Sequence, residues 1–142
     1  MTRYQKRLSG PILDRIDMHV TVQRVAFETL TSDELCETSG TIRGRVIRAR
    51  QRQWRRFAEH PTATCNAEMR VGDIRAYCEL DAACAALLRS AVESFGLSAR
   101  AYHRVLRVAR TIADLDDAEA IGQSHLAEAI QYQPRPRYGS FA

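Results

Sequence analysis

The chain has 142 residues, 45% of them hydrophobic, with a net charge of +4, enough material for one buried core and a modest pull toward an anionic partner. No apolar run approaches the roughly 20 residues that span a bilayer, and Met1-Thr2-Arg3-Tyr4-Gln5-Lys6-Arg7 has no apolar signal region behind it, so the expected location is cytoplasmic and the expected partners exclude a membrane. Cys36, Cys65, Cys78 and Cys84 are separated by 28, 12 and 5 residues; without a Cys-x-x-Cys pair or a nearby His-x-x-x-His they read as free thiols, and no metal site is expected.

After ten polar and basic residues, Ile16-Asp17-Met18-His19-Val20-Thr21-Val22 alternates like a short strand. A single strand has no partner for its ladder hydrogen bonds, so it is frayed, paired with another copy, or the remnant of a sheet that lies elsewhere. Residues 25–38 are acidic with interspersed Ser, Thr and Asp, a linker with a short turn around Phe27 to Leu30. A long helix is predicted from Ser39 to about Phe57, with Ile42, Val46, Ala49, Trp54 and Phe57 on its apolar side. Gly44 weakens it by about 1 kcal/mol relative to alanine, and His60-Pro61 stops it. Seven of the 16 residues from Thr41 to Arg56 are arginine.

Thr62 to Met69 reads as a loop in which Asn66-Ala67-Glu68-Met69 has no role beyond turn or cap chemistry, followed by a short helix from about Asp73 to Glu79. Asp81 caps the next helix, which buries Leu87, Leu88, Ala91, Val92 and Phe95 and ends at Gly96 in a left-handed cap. Ser98 caps the helix that follows, whose buried stripe runs through Ala101, Val105, Val108 or Ala109, and Ile112. On it Arg100, Arg104 and Arg107 recur at spacings of four and three, with Arg110 next, so their guanidinium groups share a sector suited to phosphate. Ser124 or Gln123 opens a last helix with Leu126, Ala129 and Ile130 inward, Pro134 and Pro136 bar its extension, and residues 134–142 are expected to be a disordered tail. The fold class is all-α: a small bundle of four to five helices with an extended N-terminal remnant.

Several ordered stretches carry a family resemblance: Tyr4-Gln5-Lys6-Arg7-Leu8-Ser9-Gly10-Pro11-Ile12-Leu13-Asp14-Arg15-Ile16-Asp17, Ile42-Arg43-Gly44-Arg45-Val46, Asn66-Ala67-Glu68-Met69, the arginine helix from Leu97 to Leu115, and His125-Leu126-Ala127-Glu128-Ala129-Ile130-Gln131-Tyr132. Together they resemble the C-terminal part of the magnesium-chelatase-like AAA+ ATPases, in the branch associated with competence. The resemblance implies that residues 1–24 are the end of the ATPase core, with its last strand and arginine-finger segment, that 25–38 link to a helical lid at 39–133, and that the parent is a hexameric, DNA-processing motor using ATP and Mg2+. No G-x-x-x-x-G-K-[ST] and no apolar strand ending in Asp-Glu occurs, so the chain looks like a fragment that binds no cofactor alone and needs its core and neighbouring subunits to act.

Two arginines carry the expected chemistry. Arg15 matches the family's arginine finger, which reaches the γ-phosphate of a neighbour's ATP; the plainer reading is an ion pair with Asp14 or Asp17. Arg100 matches the sensor 2 arginine in the pattern Ser-x-Arg, where the first turn of a helix also favours an anion; the plainer reading is an exposed arginine whose stem covers apolar surface. Arg104 and Arg107 are weaker nucleotide candidates. Arg43, Arg48, Arg52, Arg55 and Arg56 form a candidate nucleic-acid face, with Trp54 and Phe57 placed to stack bases, against the alternative of a solvated helix face over core aromatics. Two other functions stay open: an autonomous basic DNA- or RNA-binding module, and part of a magnesium chelatase motor.

Overall fold

A computed structural model describes residues 15–25 and 37–133. These hold five α-helices, α1 (Ser39–Arg56), α2 (Val71–Tyr77), α3 (Ala82–Phe95), α4 (Ala99–Leu115) and α5 (Gln123–Gln131), with one 3-10 turn at Asn66–Glu68. The all-helical bundle predicted from the sequence is what forms. None of these helices is long and apolar enough to cross a membrane. The segments 1–14, 26–36 and 134–142, with the turn at Phe27 to Leu30 and the tail, lie outside the described residues.

The caps explain the boundaries. The Thr38 hydroxyl accepts the Thr41 N–H to start α1, Asp81 accepts the Cys84 N–H to start α3, and Ser98 accepts the Ala101 N–H to start α4. Gly96 ends α3 with φ 59°, where an L side chain clashes with its own carbonyl. The short helix α2 begins two residues before the expected Asp73, because Asp73 works from inside the first turn: its carboxylate accepts the Arg70 N–H at 2.7 Å. That bond, with help from His60 and against the cost of desolvation, holds the Asp73 carboxyl below its ordinary range.

Helix α4 is the hub of the bundle. It packs against α5, α1, α2 and the 3-10 turn, while α3 leans on α5. Its Val105, Leu106, Ala109 and Ala113 meet Phe57, Met69, Ile74, Cys78, Leu126 and Ala129 in one core. Small residues on α4 and α5 let the two helix backbones approach, and the larger Met69, Leu126 and Phe57 fill the gaps between helices. Burial raises the Cys78 thiol to about 11, which keeps it a neutral core residue.

Three expectations are corrected. Ile16 to Val22 is no strand: among the described residues nothing offers it a ladder, Ile16, Met18, Val20 and Val22 are exposed, and its backbone link to the bundle is the His19 N–H donating to the Tyr132 carbonyl at 2.9 Å. Phe95 points outward, since the buried face of α3 is set by Cys84, Leu88 and Ala91. On α1 only Ala49 and Gln53 are buried; Ile42 and Val46 lie exposed on the turns before them, and Trp54 is 58% exposed while Phe57 enters the core. The described bundle therefore covers α1 from Ala49 onward and leaves its first half bare.

Candidate functional site

The sequence places four arginines on α4, and the structure gives them different employments. Arg100 stands exposed in the first turn. Arg104, one turn on, is only 3% exposed and its Nη1 donates to the Ile16 carbonyl at 2.6 Å. Arg107 is half-buried and donates from Nη2 to the Met69 carbonyl at 2.6 Å. Arg110 is buried, donating to the Ala118 and Glu119 carbonyls at 2.7 Å each. The expected shared phosphate-facing sector is thus not an open one. A guanidinium carries five donors and no acceptor, so carbonyls from the segment at Ile16, from the end of the 3-10 turn at Met69 and from the loop after Asp116 engage Arg104, Arg107 and Arg110 in turn.

The C-terminal end of α4 instead carries a buried polar hub that the sequence reading missed. Asp114, fully enclosed, receives Arg56 through both guanidinium nitrogens at 2.6 and 2.8 Å, Asn66 Nδ2 at 2.8 Å, and Arg110 Nη2 at 3.1 Å. Burial opposes its ionisation, but the hydrogen bonds from Arg56 and Asn66 and the two positive charges prevail and hold the carboxyl below its ordinary range. Asn66 also accepts from Arg56 and donates to the Thr111 hydroxyl, whose own proton goes to the Arg107 carbonyl. This accounts for the Asn66-Ala67-Glu68-Met69 stretch. Asn66 joins α1 to α4, Glu68 accepts the Thr64 N–H and hydroxyl, and Met69 supplies core and the carbonyl that holds Arg107.

The α1 arginines divide in the same way. Arg52 bridges Asp117 and Glu119 at 2.6 Å each, and Arg45 grips Glu37. With Arg56 in the hub, Arg43, Arg48 and Arg55 are the exposed members of the expected nucleic-acid face, and among the described residues they form no ion pair. Two histidines serve as caps: Nδ1 of His60 accepts the Thr62 and Ala63 N–H groups and Nδ1 of His125 accepts the Gly122 N–H, while their Nε2 atoms face Asp73 and Asp116 at 3.1 Å. With Nδ1 occupied as acceptor, each Nε2 carries the proton and donates it to its carboxylate. Arg15 is exposed and makes no ion pair with Asp17, while the alternative partner Asp14 lies outside the described residues. A cavity of about 300 Å³ is lined by Asp17, Met18, Arg104, Val108, Ile112 and Tyr132, among others.

Set against the needs of an ATP–Mg2+ site, this donor set fits one side only. Its exposed arginines include Arg15 and Arg100, and the backbone cradle, lysine and hydroxyl of a P-loop do not occur in the sequence.

Residues 36–133 match the sequence family described as magnesium chelatase, subunit ChlI C-terminal, and residues 1–30 match that of magnesium chelatase, subunit ChlI. The chain is 40% identical over 136 residues to the competence protein ComM of Haemophilus influenzae, covering 95% of this chain and 26% of that protein. It is 39% identical over 132 residues to YifB of Escherichia coli, covering 92% and 25%, and 33% identical over 131 residues to Rv2897c of Mycobacterium tuberculosis, covering 92% and 26%. It therefore spans about a quarter of the length of these relatives. With a match running from Cys36 through the last described helix to Gln133, the chain belongs to the magnesium chelatase subunit ChlI C-terminal family.

Proposed function

We propose that the chain is the helical lid of an AAA+ ATPase, the nucleotide-sensing and subunit-coupling part of a hexameric motor that processes DNA in recombination or natural transformation. The observation that carries this is the continuous match to the chelatase C-terminal family together with the likeness to a protein named for competence. In this reading ATP and Mg2+ are held by the missing core, Arg100 contacts the phosphates of its own subunit from the lid, and Arg15 acts in trans on the neighbour's nucleotide. The whole assembly works in the cytoplasm. The exposure of Arg15 and Arg100 supports their assignment, since an exposed guanidinium is accessible to a phosphate approaching from outside the bundle.

The test is subunit mixing in the full-length protein. Arg15→Ala and a P-loop variant are each expected to be inactive, and their mixture to recover part of the turnover, because the intact P-loop of one subunit meets the intact finger of the other. Absence of recovery would remove Arg15 from the trans role. Arg100→Ala is expected to raise KM for ATP. The chain alone is expected to hydrolyse nothing.

A second reading has its own support: Arg43, Arg48 and Arg55 remain exposed, so α1 can serve as a DNA- or RNA-binding face. Salt-dependent fluorescence anisotropy separates it. Binding whose logarithmic salt slope falls by about two in Arg48→Ala/Arg55→Ala supports the face, and no binding at low salt leaves the lid reading alone. The family description also keeps a chelatase motor in view; turnover stimulated by a tetrapyrrole rather than by DNA would select it.

A further inference from the structure

The segment carrying Arg15 is fastened to the bundle at two points. Arg104 Nη1 donates to the carbonyl of Ile16, the residue next to Arg15, at 2.6 Å, and the His19 N–H donates to the Tyr132 carbonyl at 2.9 Å. The first point is on α4 and the second just past the end of α5, and these two helices pack on each other. Two bonds three residues apart, to two mutually fixed helices, define both the position and the direction of a short piece of chain. Between them Asp17 and Met18 line a cavity whose other walls include Val108 and Ile112 of α4.

We infer that Arg104 is a positioning residue, which locks the backbone beside Arg15 to α4 so that Arg15 moves with this helix. Its burial supports this. A charged group kept from water is placed only where it meets good acceptors, and a charge-assisted bond in such surroundings is about twice as strong as a neutral one. The planar head of arginine supplies direction, which the rotating ammonium of lysine does not. Arg104 thus leaves the set of nucleotide-contacting candidates and acquires a task upstream of Arg15. The functional part rests on the reading of Arg100 and Arg15 given above. One turn of a single helix then separates the group that answers to the subunit's own nucleotide from the group that holds the finger offered to the next subunit. A small displacement of α4 is transmitted to Arg15 through the Ile16 carbonyl, and links successive nucleotide sites around the ring.

Two measurements test this separately. The first is amide hydrogen exchange on the chain itself. In Arg104→Met the His19 amide is expected to lose protection by about tenfold or more, while the amides of Val105, Ala109 and Ala113 keep theirs; Arg104→Lys is expected to fall between. Unchanged His19 protection overturns the tether. Should Arg104→Met fail to fold, Arg104→Lys decides: loss at His19 with intact α4 amides supports the tether, and loss in step with the α4 amides reduces Arg104 to a core residue and overturns it. The second is steady-state turnover of the full-length protein, where Arg104→Lys is expected to lower kcat with KM for ATP unchanged. A raised KM at constant kcat makes Arg104 a nucleotide contact, and no change in either makes the tether irrelevant to turnover; both overturn the positioning role. Failure to find any ATPase in the full-length protein refutes the motor reading and leaves the exchange result standing.

Discussion

Asp114 shows how one residue decides the fate of several others. It sits at the C-terminal end of α4 with no exposed side chain and is the carboxylate shared by Arg56 and Arg110. Removing one member of a buried charged group leaves the others dehydrated and uncompensated, at a cost of about 3 to 5 kcal/mol. Asp114→Asn keeps the shape and removes the charge, and is expected to lower the unfolding free energy measured by urea denaturation by an amount in that range; a change below about 1 kcal/mol would show that water reaches the two guanidinium groups. Arg56→Met is expected to be milder, because Arg110 and Asn66 still face the carboxylate.

At the scale of elements, the helices were legible from their ends. Ser98, Asp81 and Gly96 each perform the cap chemistry that their residue type and place predict. Gly96→Ala meets no neighbouring atom, so its cost is that of the left-handed backbone alone, about 1 kcal/mol, and thermal unfolding is expected to shift by a few degrees. A larger loss would point to a packing role for Gly96. The partners of the arginines were illegible for a definite reason. Helical spacing places Arg104, Arg107 and Arg110 on faces of α4, but their acceptors are backbone carbonyls, which leave no mark on residue identity. Likewise Arg56 meets a carboxylate 58 positions away, a separation that no local pattern encodes. Arg15 and Arg100 are singled out by the family resemblance alone, since charge pattern ranks them with any surface arginine.

For the whole molecule, the buried charges make stability depend on acid in a known direction. The folded-state pKa of Asp114 lies below its ordinary value of 3.8. Its contribution is therefore complete above that value and is lost as pH falls through it toward the folded-state pKa. Glu68, Asp73 and Asp81 are lowered too, by backbone hydrogen bonds, and act in the same sense. Chemical denaturation at pH 7 and at pH 3 is expected to give a clearly lower stability in acid, and Asp114→Asn to flatten the difference; equal stabilities at both pH values would mean that these carboxylates are no better placed folded than unfolded.

Trp54 is the single tryptophan of the chain, and more than half of its surface on α1 is open to water. Its emission is therefore expected to be already red-shifted relative to a buried indole and to move less on melting than that of a core tryptophan. Anything that settles on that side of α1, whether a nucleic acid strand or another protein surface, changes the solvent around the ring and shifts its colour or quenches it. The molecule carries a built-in optical sensor for docking rather than for folding.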